Sequence, residues 1–125
     1  MNIPEAEEVL YAIYWGKYDD FELLTKYLEN GGDPNVVKHG YGTFLEAVLL
    51  REKGEQNTVE LIDLLIKYNC DPFIKNIEYK NEIISANDLV VKLFREFNED
   101  MSIKEHNYYD EMYMNILRKF EKLII

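Results

Sequence analysis

Residues 28–35 read LENGGDPN and residues 66–73 read IKYNCDPF, two segment ends that lie 38 residues apart. At that offset DDFELLTKYLENGGDPNVVK, residues 19–38, lies over NTVELIDLLIKYNCDPFIKN, residues 57–76, and matches Glu22 with Glu60, Leu23 with Leu61, Asp33 with Asp71 and Pro34 with Pro72. Leu23, Leu24, Tyr27 and Leu28 recur at the helical period, as do Val59, Ile62, Leu65 and Ile66, so each copy reads as an amphipathic helix. Gly31 and Gly32 permit a left-handed turn at the first exit and Asn69 at the second, after which proline forbids further helix. An aspartate before proline is held extended or in a turn. The chain therefore builds one helix exit twice, and the segments that follow, VVKHGYG and FIKNIEYK, read as projecting loops or short hairpins before the next helix.

Six capping residues are followed three positions later by an acid: Asn2 by Glu5, Asp19 by Glu22, Thr43 by Glu46, Asn57 by Glu60, Ser85 by Asp88 and Asn107 by Asp110. Each pair can satisfy two amide donors at a helix start. The last segment, with Tyr109, Met112, Tyr113, Ile116, Leu117, Phe120, Leu123 and Ile124, holds the helical period over four turns. No alternation of Val, Ile or Thr is long enough for a sheet. The fold class expected is all-α.

A chain of 125 residues is large enough for one domain with an ordinary core. Its hydrophobic residues, 47%, are dispersed among 30% charged ones, with no run near the length of a membrane span. The opening MNIPEAEEVL carries acids where a signal peptide needs basic residues, so a cytoplasmic chain is expected. Cys70 is the single cysteine and forms no internal disulfide, in keeping with a reducing compartment. The formal charge of −10 argues against nucleic acid, because phosphate binding needs clustered Lys and Arg. Residues 1–30 are the most acidic part, with seven acids against two lysines. Such a face keeps a protein soluble, and it also attracts a basic partner.

GGDPN at 31–35, NCDPF at 69–73 and GTFLEAV at 42–48 together resemble the ankyrin repeat, whose consensus joins a Thr-Pro-Leu-His helix start to a Gly-Ala-Asp-Pro-Asn exit. Gly42, Thr43, Leu45 and Ala47 stand in the pattern and Phe44 takes the place of its proline. ISANDLV at 84–90 resembles a third, degenerate start with Ser85 for the threonine, and VLYAIYWGKYDDFELL at 9–24 is similar to an N-terminal capping repeat. The likeness is specific over residues 9–76, extends to 97, and is topological beyond. It implies a single domain, 1–125, forming a short ankyrin-like solenoid of about three helix pairs with projecting loops or short hairpins. The repeats would be roughly 3–41, 42–79 and 80–125, the last degenerate with an insertion at 98–106. The spacing of 38 exceeds the usual ~33, and the excess is placed at REKGEQN, 51–57.

No phosphate-binding loop is present, since the glycines lack the P-loop spacing and no strand precedes them. His39 and His106 are far apart with no ligand-spaced neighbour. Cys70 stands where the ankyrin consensus has alanine, so it reads as a small packed residue in preference to a nucleophile. Adjacent acids abound, among them Glu7 and Glu8, and Asp19 and Asp20, but 24 acids make any pairing uninformative for acid–base work. The chain is expected to be no enzyme, with no metal or other cofactor.

Aromatic residues make 14% of the chain, ten of them tyrosine, and tyrosine and tryptophan are the residues interfaces use at their energetic centres. Tyr109, Tyr113, Phe120, Phe94 and Phe97 fall on apolar helical faces and are expected in the core. Tyr41 and Tyr79 each precede a helix start after a loop, and packing competes with contact as their role. Tyr14 and Trp15 are adjacent and cannot both point inward along one stripe, so one should be exposed. The ankyrin resemblance implies protein binding through loop tips and the concave face of the first helices, which on this chain runs through Tyr14, Trp15, Lys38, His39, Tyr41, Glu46, Arg51, Glu78 and Tyr79. The expected partner is one dedicated protein, with a monomer or weak dimer, no nucleic acid and no membrane. Small size and acidity also fit a bacterial immunity protein that neutralises a basic toxin by electrostatically steered capture. A self-associating structural protein is the remaining alternative.

Overall fold

A computed structural model describes residues 3–51, 57–100 and 103–124, with side chains described outside 97–100 and 103–109. The chain forms two compact units, 1–71 and 72–125.

The first unit holds α1 (Ala6–Tyr14), α2 (Asp20–Glu29), α3 (Phe44–Leu50) and α4 (Thr58–Lys67). Helices α1 and α2 pack as one pair and α3 and α4 as another, and the first helices of the two pairs, α1 and α3, pack on each other. Their compositions explain that order. In α3, Phe44, Leu45, Ala47, Val48 and Leu49 are all buried, as a helix apolar nearly all round must be. On α1 the stripe Ala6, Val9, Leu10, Ala12 and Ile13 is buried, with Glu7 and Glu8 in its first turn, where the helix dipole favours acids. Leu24, Tyr27 and Leu28 of α2 and Leu61, Ile62, Leu64 and Leu65 of α4 complete the core. Each fully buried aliphatic side chain contributes about 1.5–3 kcal/mol.

The repeated exit is reproduced in detail. Helices α2 and α4 begin and end at positions 38 residues apart. Gly31 and Asn69 take positive φ, +88° and +69°. Gly32 N donates to Tyr27 O and Cys70 N to Leu65 O, at 2.9 and 3.0 Å, while Gly31 and Asn69 donate to Leu28 O and Ile66 O. This is the 6→1 and 5→2 pattern that closes a helix on a left-handed residue. Helix α1 ends the same way through Gly16, with φ +62° and Lys17 N donating to Ala12 O. The two loops then join: Asn35 of the first accepts from Asp71 N at 2.7 Å and donates to Asn69 O at 3.4 Å, and Cys70 Sγ lies 3.6 Å from Pro34 O.

One difference between the copies has a steric cause. A Cβ at Gly32 would come within 2.5–2.6 Å of the Tyr27 ring, which is buried and whose hydroxyl donates to Asp33 O at 3.0 Å. Where the second copy has Leu65 in place of that tyrosine, Cys70 fits. Gly32→Ala should therefore lose about 1–3 kcal/mol by overpacking in a urea titration, and pairing it with Tyr27→Leu should recover most of the loss. Cys70 is buried, and burial, then the charges of Asp71 and Asp33, push its thiol up to about 12. Alkylation of the native protein by iodoacetamide at pH 8 should be at least about a hundredfold slower than that of the urea-unfolded chain, because the thiolate is the nucleophile.

The second unit opens with a hairpin of β1 (Ile77–Tyr79) and β2 (Glu82–Ile84), antiparallel, pairing Ile77 with Ile84, Glu78 with Ile83 and Tyr79 with Glu82. Lys80 and Asn81 at its tip both have positive φ, the geometry that suits the strand twist in a two-residue loop. Helices α5 (Ala86–Asp100) and α6 (Ile103–Glu121) follow and pack along each other. Leu89, Val90 and Leu93, and Tyr113, Ile116 and Phe120, are buried. Phe94 is half-buried. Among the described residues no helix is long and apolar enough to cross a membrane.

The fold is thus mostly helical, and the all-α expectation is corrected by the small sheet at 77–84. Three residues per strand are too few for a period-2 pattern to show, and the hairpin falls where a projecting loop or hairpin was expected. Of the six capping pairs, Ser85 and Asp88 bond reciprocally as expected, at 3.1 and 3.3 Å, and Thr43 Oγ1 accepts from Glu46 N at 3.0 Å, one of the two bonds expected of its pair. Asp19 and Asn57 make no side-chain cap. Residues 98–100 continue α5 and 103–106 begin α6, so most of the expected 98–106 insertion is helix, and Asn107 lies inside α6 instead of starting it. Asn2, residues 52–56 of the expected 51–57 insertion, and the side chains of Phe97, His106 and Tyr109 lie outside what is described.

Candidate functional site

The first helix has a second face. Tyr11, Tyr14 and Trp15 are exposed, Trp15 by 60%, and Tyr18 beyond the helix is wholly exposed. Tyr14 and Trp15 are both outside, in keeping with the expectation that the two could not both point inward, because α1 buries the stripe on either side of Val9 and Ile13 and neither aromatic lies on it. Their rings meet edge to face at 5.4 Å, Tyr11 lies 6.3 Å from Trp15, and Lys17 Nζ stands 5.0 Å from the centre of the Tyr11 ring. Aromatic pairs in this geometry hold each other in place without leaving the surface.

Facing these rings is the hairpin of the first loop. Lys38 and Gly42 exchange backbone hydrogen bonds at 3.0 and 2.8 Å, and Gly40 and Gly42 supply the positive φ of the turn. The tight turn presents Tyr41 outward, half exposed. Lys38 Nζ reaches Glu7 on α1 at 3.7 Å, a solvent-exposed contact worth little by itself. Together Leu10, Tyr11, Tyr14, Trp15, Gly40, Tyr41, Gly42 and Glu46 line an open groove of about 450 Å³. Glu46 enters it because Gly42 has no side chain: a methyl group at Gly42 would collide with the Glu46 carboxylate.

Of the nine residues singled out from sequence, Tyr14, Trp15, Tyr41 and Glu46 converge on this groove. Lys38 and His39 sit on its hairpin, His39 exposed. Glu78 and Tyr79 belong to the hairpin of the second unit, and the groove is made by the first unit alone. There Tyr79 Oη donates to Glu96 at 2.9 Å and Lys80 Nζ to the same carboxylate at 2.6 Å. The Lys80 hydrogen bond holds the Glu96 carboxyl below its usual range, and desolvation, then the bond to Glu96, raises the Tyr79 hydroxyl. Tyr79 latches its hairpin to α5.

Arg51 is a correction: it is buried, 7% exposed, and so offers no surface to a partner. Its guanidinium donates to Asp20 at 3.1 Å, to Asn57 at 2.7 Å and to Thr58 at 3.0 Å, and Asn57 donates in turn to Asp20 at 2.9 Å. Asp20 and Thr58 are the first residues of α2 and α4, so Arg51 ties the starts of the two repeated helices together. Asn57 gives its side chain to this cluster instead of capping α4. Tyr11 was missed in the sequence, although it lies four residues before Trp15 and one helical turn places the two side by side.

Among the described residues no group of His, Cys, Asp and Glu is arranged to hold a metal ion. Comparison with protein-family models, curated proteins and solved structures finds no match to this chain.

Proposed function

We propose that the chain is a non-catalytic, ankyrin-like protein-binding module, and that the first unit binds one dedicated partner through the aromatic groove. The observation that carries this reading is the exposure of Tyr11, Tyr14, Trp15 and Tyr41 around one concavity. Leaving so much aromatic surface in water opposes solubility unless a partner covers it, and Tyr and Trp are the residues that dominate binding energy in such centres. The ankyrin-like part of the reading is supported by the two helix pairs packed through their first helices, the doubled exit, and the Asn35 bridge from one loop to the next. The test is capture of native partners on the tagged chain from its own source cells, identified by mass spectrometry, beside the same capture on a Trp15→Ala variant. A stoichiometric protein lost with Trp15→Ala supports the reading; partners retained equally by both would overturn the groove as their site.

A second reading is favoured by the charge: the strongly acidic first thirty residues include the helix that carries the groove. In that reading the chain is an immunity protein, and the captured protein is a single basic toxin. Several weak partners would favour an adaptor instead, and recovery of the chain alone would favour self-association.

A further inference from the structure

We propose that Asn30 is a site of spontaneous deamidation that the fold holds in check, so that its conversion records opening of the α2 exit and then keeps the exit from closing. Of the asparagines in the chain, Asn30 alone precedes a glycine. The reaction is a ring closure. The backbone nitrogen of Gly31 attacks Cγ of Asn30, the bond from Cγ to Nδ2 breaks, and ammonia leaves carrying the proton of the backbone nitrogen. Water then opens the cyclic imide at either carbonyl, which yields aspartate or isoaspartate with no change of oxidation state. Asparagine is thermolabile, and a following glycine speeds this step because it has no Cβ to obstruct the approach and leaves the backbone freest to make it.

Asn30 is exposed, so water reaches it, and what restrains it is geometry. Its ψ of 20° brings Gly31 N close to eclipse with the nitrogen of Asn30 itself and turns it away from the side chain. The Gly31 N–H donates to Leu28 O at 3.1 Å. Nδ2, the leaving group, donates to Lys26 O at 2.6 Å, which folds the side chain back along α2. Attacking and leaving groups are thus both engaged by the last turn of α2, and the ring closes only when that turn opens. Helix ends open at far less cost than cores. Either product sets a carboxylate at the C-terminus of α2, against the helix dipole, and removes the donor to Lys26 O. Isoaspartate also carries the main chain through the former side chain, an added methylene that puts the bonds from Gly31 N to Leu28 O and from Gly32 N to Tyr27 O out of register. The second exit supplies a comparison within the chain: Tyr68 stands where the first has Asn30, and Asn69 is followed by Cys70.

The test incubates the full chain at pH 8, in buffer and in guanidinium chloride, and follows the tryptic peptides 27–38 and 68–75 by the mass gain of amide-to-acid conversion. In the unfolded chain Asn30 should convert at least about tenfold faster than Asn35 or Asn69, neither of which precedes glycine. In the folded chain Asn30 should slow at least about tenfold, because a reaction of the opened state follows the population of that state. The isoaspartyl chain, separated by chromatography and refolded, should lose protection of the Gly31 and Gly32 amides from hydrogen exchange at least about tenfold. Asn30→Asp, which has the charge but an ordinary backbone, should lose less. Equal rates in the folded and unfolded chain would overturn the restraint by the exit, and an Asn30 no faster than Asn69 when unfolded would overturn the site itself. Native protection in the isoaspartyl chain would overturn the claim that the product holds the exit open.

Discussion

Replacing Arg51 with methionine should lower the stability of the protein by about 3–5 kcal/mol, the cost of removing one partner from a buried ion pair. The arginine and Asp20 side chains are 1% and 3% exposed and 3.1 Å apart, so water cannot compensate the aspartate left behind. Asn57 and Thr58 lose a donor at the same time. Total stabilities of such domains are about 5–15 kcal/mol, and the variant should unfold at a markedly lower urea concentration with an unchanged slope. Arg51→Met combined with Asp20→Leu should be less destabilised than the sum of the single changes, because the unpaired charge is gone. A loss below about 1 kcal/mol for Arg51→Met would mean that the guanidinium is solvated.

Trp15→Ala should do the opposite: change stability by less than about 0.5 kcal/mol, as expected of an exposed side chain, and weaken the native partner at least about thirtyfold, the loss that marks an interfacial hot spot. Trp15 ends α1, but its contribution there is a backbone N–H to Tyr11 O, which alanine retains. Trp15→Phe should recover part of the affinity by restoring ring contact with Tyr14. Calorimetric titration of the captured partner, beside urea titration of each variant, separates the two quantities. Full affinity in Trp15→Ala would remove the groove from the interface.

The repeat was legible because its signals are local. Gly31, Asn69 and the two prolines act through their own φ angles and missing donors, and the 38-residue offset holds for the bounds of α2 and α4 alike. Thr43 and Ser85 cap their helices by reaching three residues along the chain. Where a local rule met a distant competitor it failed. Asn57 has the right residue type and spacing for a cap, yet Arg51 and Asp20 take its side chain, because a buried charge must be satisfied first. The hairpin at 77–84 was hidden for a different reason: its strands are too short to leave a period, and its tip is Lys80-Asn81 in place of a glycine turn.

Half of the candidate site divides along the same line. By itself the sequence determined that Tyr14 and Trp15 could not share a buried stripe and that Tyr41 would sit at a loop before a helix, since helical spacing and turn chemistry settle both. That these three and Glu46 surround one groove was decided only by the tertiary structure, because α1 and the first hairpin meet through side chains some thirty positions apart. The fate of Arg51 was decided there too: a charged residue after a helix belongs in water by every local rule, and is buried only because Asp20, Asn57 and Thr58 converge on it.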